Sequence, residues 1–432
     1  MSANWIKTKI SSLATDMTDG PFGSDLKMVH YTDKREARIV QLSNVGEDGW
    51  IDDNIKYTTF KHAHEIERCI IEPGNIIIAK MMPAGRAIIC PNHEPMFVQG
   101  SDVVQVIPNN KIDSTFFVYM TKQKDYLKQI DKNTQGSTRA RTSISKLKEI
   151  SFIIPSDINE QKRIASILST CDTVIQKTQS TIEKYKAIKQ GMMQDLFTRG
   201  LTKDGKLRPS FKDAPELYKE SELGMIPKEW EVKELNEIYT KVTNAFVGTA
   251  TPYYVNQGHF YLESNNVKNG FINFNNKIYI NDYFYEKQKN NWLHTGDLVM
   301  VQSGHVGHTA VIPESLDNTA AHAVIIIANP KIDADSYFYN YYFFSENAVN
   351  MISKITKGNT IKHVLSSEMK FFKVAYPSIE EQKAIASRLS SIDTVIQKEE
   401  ALLEKYKKIK NGLMNDLLVP PKGATIIDET ED

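Results

Sequence analysis

The residues of this chain best suited to chemistry are cations and amide or hydroxyl donors set in polar loops. Arg139 and Arg141 stand in 135–145, a run of Gly, Ser and Thr with no apolar stripe of its own, beside Ser137 and Thr138. Lys80 and Arg86 bracket a second loop, Lys-Met-Met-Pro-Ala-Gly-Arg, lying between two apolar runs. Ser24 ends a glycine-rich opening phrase, Asp19-Gly-Pro-Phe-Gly-Ser24, and Lys27 follows it. Farther on, Gln302, His305 and His308 occupy Gln-Ser-Gly-His-Val-Gly-His, and Lys357, Asn359, Thr360, Lys362 and His363 form another polar loop. Donors and acceptors on loops able to enter a major groove, with cations beside them for phosphates, are what sequence-specific DNA contact requires. These sixteen residues are therefore the candidate DNA-binding set. The lysines of 122–132 read instead as the solvated face of a helix. Asn265 and Asn266 fit adenine readout or a turn cap equally well.

Enzymatic signatures are absent. The sequence has no G-x-x-x-x-G-K-[ST] phosphate loop, no glycine fingerprint after a strand, and no Asp/Asn-Pro-Pro-aromatic tetrad of an amino-methyltransferase. Pro155-Ser-Asp157 with Glu160 and Lys162 resembles a nuclease carboxylate–lysine cluster, but the spacing is too tight. The second copy described below has Ile379 where an Asp would be needed. His294, His305 and His308 lack the i, i+4 helical spacing of a zinc site, so no metal is expected. The aromatic run 337–344 reads as core. None of these patterns points to chemistry carried out by this chain.

Composition sets wider bounds. The chain has 432 residues, 41% hydrophobic and 25% charged, with zero formal net charge. That suffices for two or three domains with real cores, and global charge lends no support to nucleic-acid binding. Cys69, Cys90 and Cys171 are scattered, which argues against a disulfide framework and fits a reducing cytosol. No apolar run approaches the roughly 20 residues of a membrane span, and the N-terminus has no signal-peptide core. A cytoplasmic protein with no membrane partner is expected.

The elements that must position the loops are announced by a repeat. Residues 160–197 recur 221 residues later as 381–418, with 24 of 38 positions identical and no gap. Each copy carries a helical apolar stripe: Ile164, Leu168, Cys171, Ile175, Ile182, Tyr185, Met192 and Leu196 in the first. The second has Ile385, Leu389, Ile392, Ile396, Leu403, Tyr406, Leu413 and Leu417. The +4/+3 alternation is a coiled-coil seam, broken at Thr178 and Glu399 and again at Lys189 and Lys410. A helix of this length runs to roughly 57 Å, and the obvious partner for each copy is the other, packed antiparallel. Ile164, Leu168, Ile175, Ile182, Tyr185, Leu196, Ile385, Leu389, Ile396, Leu403, Tyr406 and Leu417 are the expected helix–helix and partner-docking residues.

What precedes each helix repeats too, with lower identity. Val40–Val45, Ile76–Ala79, Ala87–Cys90 and Val103–Ile107 read as strands, and Ser114–Ile130 as a helix with Phe117, Met120, Tyr126 and Leu127 inward. Gly85-Arg86 answers Gly307-His308, and Gly136-Ser-Thr answers Gly358-Asn-Thr. The expected plan is a globular domain at 1–155, a long helix at 156–198 and a connector at 199–224. A second globular domain follows at 225–377, a second long helix at 378–419, and a disordered acidic tail at 420–432. The fold class is mixed α/β (α+β), a tandem duplication with pseudo-two-fold symmetry. The helices have stayed nearly identical while the domains drifted apart, as if each domain read something different.

This arrangement resembles the specificity (S) subunit of type I restriction–modification systems over essentially the whole chain. The resemblance is carried by the opening phrase at 19–24, the Gly136-Ser-Thr loop and its counterpart, and the Pro-Ser before Glu-Gln-Lys at 160–162 and 381–383. It is carried also by the helix ends Gly191-Met-Met-Gln-Asp-Leu and Gly412-Leu-Met-Asn-Asp-Leu. The second domain departs from the opening phrase, with Asn244-Ala-Phe-Val-Gly-Thr249. The resemblance implies two target recognition domains, each reading one half of a split sequence in double-stranded DNA. The helices would hold them apart and dock two modification (adenine-N6 methyltransferase) subunits and, through them, restriction subunits. The resemblance also implies that this chain is non-catalytic and binds no cofactor itself, with S-adenosylmethionine, ATP and Mg used by those partners. Two rivals remain: the recognition subunit of a combined restriction–methylation enzyme that cuts on both sides of its site, and a coiled-coil scaffold binding protein rather than DNA.

Overall fold

The computed structural model describes residues 4–81, 83–133, 141–358 and 362–430. It divides into two compact units, Met1–Gln179 with Ala401–Asp432, and Ser180–Glu400. These units cut across the expected segments, because each combines a globular domain with the neighbouring ends of both long helices.

In the first unit a four-stranded antiparallel sheet has the order Ala14–Asp19, Val103–Pro108, Ile76–Ala79, Ala87–Ile89. Ile76, Ile77, Ile78 and Ala79 are fully buried, as a central strand covered on both faces must be. A second sheet contains a parallel pair, Ala37–Val40 with Met96–Gln99. The expected strand over Val40–Val45 is thus displaced: the strand is Ala37–Val40, and Leu42–Asn44 turns as a short 3-10 helix. The reason is Asn44, whose Oδ1 accepts from the Gln41 amide at 2.8 Å while its Nδ2 donates to the Ile51 and Asp53 carbonyls. Asn266 makes the same turn beside Glu263 and is buried, so it is a turn cap and not a base reader.

The expected helix over Ser114–Ile130 is two helices, Ser114–Met120 and Lys124–Asn133. Asp113 caps the first by accepting from the Phe116 amide, and the helix ends where Thr121 Oγ1 donates back to the Val118 carbonyl. The break re-aims the second helix: Tyr126 goes into the core, while Leu127, expected inward, is 43% exposed.

The second unit repeats the plan. Its four-stranded sheet has the same order, Tyr239–Asn244, Val324–Pro330, Leu298–Val301, Thr309–Val311, and His259–Glu263 pairs in parallel with Ala320–His322. Asp335 caps Ser336–Tyr342 as Asp113 caps its counterpart. The aromatic run sits in the core as expected, with Phe338 and Tyr339 fully buried. The connector is ordered, and its Tyr218–Ser221/Gly224–Pro227 hairpin packs Leu223 and Ile226 into this unit's core.

The long helices run Ile158–Thr198 and Ile379–Leu417. The Gln of each Glu-Gln-Lys phrase explains why every domain closes onto its helix in the same way. Gln161, fully buried, accepts from the Asp113 amide at 3.0 Å and donates to the Lys111 and Pro155 carbonyls. Gln382 accepts from the Asp335 amide and donates to the Pro377 carbonyl.

One expectation needs correction at the C-terminus. The tail 420–432 is not structureless among its described residues: Ile426–Asp428 forms a strand paired in parallel with Trp5–Lys9, and Lys7 pairs with Asp428 at 2.8 Å.

Candidate nucleic-acid interface

In the first unit the three polar loops meet because the sheet's strand ends bring them together. Lys80 follows the central strand, and its amide donates to the Asp102 carbonyl. The Lys80 carbonyl accepts from the Thr142 amide at 2.9 Å, which lays the closing loop along the hairpin. Met81 bridges to Arg141. Asp19, ending the edge strand, pairs with the Lys80 ammonium. The result is a polar recess lined by Asp19, Lys80, Arg141, Thr142, Ser143 and Lys146.

The candidate residues are placed unequally. Arg141 is half exposed and reaches the Asp102 carboxylate at 3.5 Å. Arg86 turns back to the Pro83 carbonyl at 3.1 Å. Lys80, read from sequence as an open cation, is 4% exposed, so its charge is spent on Asp19 beneath the loops. Ser24 and Lys27 are exposed in the opening loop, where Phe22 also stands 74% exposed beside Arg68. Ser137, Thr138 and Arg139 lie outside the described residues.

The second unit builds the same place from different groups. Strand register equates Asn244, opposite Ile325, with Asp19, opposite Val104. Gln302 follows its central strand as Lys80 does, and its carbonyl accepts from the Val364 amide at 3.0 Å. Ser303 bridges to His363 as Met81 does to Arg141. An ion pair in one unit thus becomes two amides in the other, with Gln302 9% exposed and Asn244 Oδ1 buried without a partner among the described residues.

The hairpin turns through Gly307 at φ +86°, as its counterpart turns through Gly85 at φ +84°. A side chain at Gly85 would also strike Ile130, so glycine is required twice over at this turn. His305 and His308 stack at 5.4 Å over an open cavity of about 390 Å³ whose wall includes Phe344 and Lys362. Burial, then the neighbouring His305 and Lys268, hold His308 below the usual imidazole range. His294 pairs instead with Asp317 at 3.7 Å and does not join the other two histidines. Lys357 and His363 exchange backbone hydrogen bonds at 2.9 Å, and the Lys357 ammonium is held by Glu368. Asn359 and Thr360 lie outside the described residues.

On the helices, Ile164, Leu168, Ile182, Leu196, Ile385, Leu389 and Ile396 are buried, while Ile175, Tyr185, Leu403, Tyr406 and Leu417 are half-buried. The apolar residues left exposed are off the expected seam, among them Ile188 at 40% and Ile409 at 43%, which hold the same place in the two copies. The seam-breaking lysines form a feature missed in the sequence. Lys410 pairs with Asp172, whose other oxygen accepts from the Tyr119 hydroxyl at 2.6 Å. Lys189 pairs with Asp393, which accepts from Tyr341 at 2.7 Å. Two lysines replacing apolar residues at one seam position, with an Asp shared by both copies, were the available signal.

No described helix is long and apolar enough to cross a membrane.

Comparison with known proteins agrees with this architecture. The type I restriction modification DNA specificity domain profile matches twice, at residues 30–186 and 227–408. The putative type I restriction enzyme MjaX specificity subunit of Methanocaldococcus jannaschii is 28% identical over 382 residues, covering 85% of this chain and 84% of that one. The type I restriction enzyme EcoBI specificity subunit of Escherichia coli is 23% identical over 291 residues, 66% of this chain and 60% of its own. The crystal structure of the type I restriction–modification S subunit from M. genitalium superposes with a TM-score of 0.60 at 16% identity, covering 97% of each chain, and so shares the fold. The duplicated profile, falling on the two repeats that the strand registers independently equate, places the chain in the type I restriction–modification DNA specificity family, as a non-catalytic specificity subunit.

Proposed function

We propose that this subunit reads an asymmetric, bipartite double-stranded DNA target, one half per recognition domain, and docks two adenine-N6 methyltransferase subunits with restriction subunits attached through them. S-adenosylmethionine, ATP and Mg belong to those partners. The observation that carries the reading is the paired loop frame: matching strand ends and backbone bridges set the loops in the same register in both units, but with unlike side chains. Asp19, Lys80 and Arg141 stand where the other unit has Asn244, Gln302 and His363. A shared frame bearing different donors is what two unlike half-sites require. Ile188 and Ile409, matched in place and both exposed, support two near-equivalent docking sites on the helices.

The test is long-read sequencing for N6-methyladenine in cells with and without the gene. Loss of one split motif with unlike halves is the expected result. A continuous target, or two identical half-sites, would overturn the reading. Exchanging residues 80–86 and 141–148 for 302–308 and 363–370 then assigns halves to domains.

A further inference from the structure

The duplication supplies an internal template for one surface that the first unit leaves uncovered. In the second unit a small pocket of about 70 Å³ lies at the end of the first long helix, bounded by Phe197, Ser345 and Asn347. The chain's own connector closes it. Leu223 and Ile226 of the hairpin line it, and the Leu223 carbonyl accepts from the Asn347 side chain at 3.5 Å.

The matching place in the first unit, at the end of the second long helix, is bounded by Leu418, Gln123 and Asp125. These residues stand 221 or 222 positions from Phe197, Ser345 and Asn347, the offsets that relate the helices and the sheet strands. Here the cavity measures about 300 Å³. Leu418 is smaller than Phe197, and among the described residues Val419 and Pro420 line the space but no hairpin like that of Leu223 and Ile226 enters it. The chain after the second helix goes instead to the edge strand at Ile426–Asp428, paired with Trp5–Lys9.

We propose that this groove is a docking site for an apolar segment of a modification subunit, which takes the place that Leu223 and Ile226 hold in the other unit. The proposal rests on the function proposed above. Three observations select this occupant. The equivalent site is already closed by a polypeptide turn bearing two branched aliphatic side chains, so the shape suits peptide. Leu418, immediately after the helix that carries the exposed Ile409, forms part of the groove wall. Asp125, its side chain 89% exposed and 3.7 Å from the Lys128 ammonium, replaces Asn347, so a donor or a cation on the occupant suits the place where the hairpin offers a carbonyl. Because the second unit fills its own groove, one of two bound modification subunits gains this contact and the other does not.

The experiment uses the full chain reconstituted with the modification subunit of its own system and a photo-crosslinking phenylalanine at position 123 or 345. The position-123 probe is expected to capture the modification subunit, and the position-345 probe to crosslink within the chain to the 218–227 hairpin. Gln123→Trp, which fills the groove mouth, is expected to weaken one of the two modification subunits at least tenfold in native mass spectrometry titrations and to leave the other unchanged. Two modification subunits bound with no crosslink from position 123, or with unaltered affinities in Gln123→Trp, overturn the groove while leaving the proposed function intact. Capture of a second copy of this chain instead overturns the groove assignment. Failure to bind any modification subunit overturns both.

Discussion

The Asp19–Lys80 pair offers a sharp test because the second unit shows what replaces it. The Lys80 side chain is 5% exposed and that of Asp19 42%. Asp19→Asn leaves a buried ammonium without its carboxylate, which costs about 3 kcal/mol, the lower end of the range for breaking a buried pair, since one partner keeps contact with water. Lys80→Gln leaves a carboxylate that solvent can reach, at a cost of about 1 kcal/mol. The double change removes both charges and reproduces the Asn244/Gln302 chemistry of the other unit, so it is expected to cost about 1 kcal/mol as well. Hydrogen exchange of the Val103–Pro108 strand, which pairs with both flanking strands, reads this locally. Opening about 150-fold more frequent in Asp19→Asn should return to within about tenfold of the native rate in the double variant. Equal protection in the native chain and Asp19→Asn, or a double variant as exposed as the sum of the singles, would refute the argument that the pair's burial, rather than its charge, matters.

Three further outcomes follow from the structure. Gln161→Ala strands the Asp113 amide and the Lys111 and Pro155 carbonyls, so it should destabilise the first unit by about 2 kcal/mol. A calorimetric transition for that unit within a degree of native would count against the latch. His308 has its pKa held below the ordinary 6.5 by burial, so the unfolded chain binds its proton first as pH falls. The neutral ring's contribution is therefore complete above about 6.5 and lost progressively below it. His308→Gln should flatten the fall in denaturation midpoint of the second unit between pH 7.5 and 5.5, and an unchanged slope would exclude this origin. The Lys7 hydrogen bond, aided by Thr430, lowers the Asp428 carboxyl from 3.8 to about 2, so its support for the C-terminal strand persists above 3.8 and fades as pH drops through about 2. An NMR titration of that carboxyl should move toward 3.8 in Lys7→Met; a midpoint that stays near 2 would remove Lys7 as the cause.

Much of this protein was determined by local sequence alone. The long helices were legible because a seam of period near 3.5 persists for almost forty residues and recurs 221 positions later, and such periodicity is a property of the chain before it folds. The apolar strands at 76–79 and 103–107 were legible for a related reason: short runs rich in Val and Ile and bounded by Gly and Pro favour a buried sheet. The turns between the strands ending at Ala79 and Val301 and those beginning at Ala87 and Thr309 also followed, since Gly and Pro mark where the chain must turn.

What the tertiary structure decided concerns partners distant in sequence. Lys80 reads as an open cation until the sheet sets Asp19 beside it, and burial is a property that no loop composition encodes. Asn266 reads equally as a base reader or a turn cap until its amide is seen holding its own turn. Lys189 and Lys410 look like flaws in a coiled coil, yet each finds an Asp and a Tyr that only folding brings within reach. The open groove of the first unit could not be read from the repeat at all. Whether a surface is covered depends on where a connecting segment travels, and the two connectors, alike in following nearly identical helices, are sent by their differing sequences to a hairpin in one unit and to an edge strand in the other.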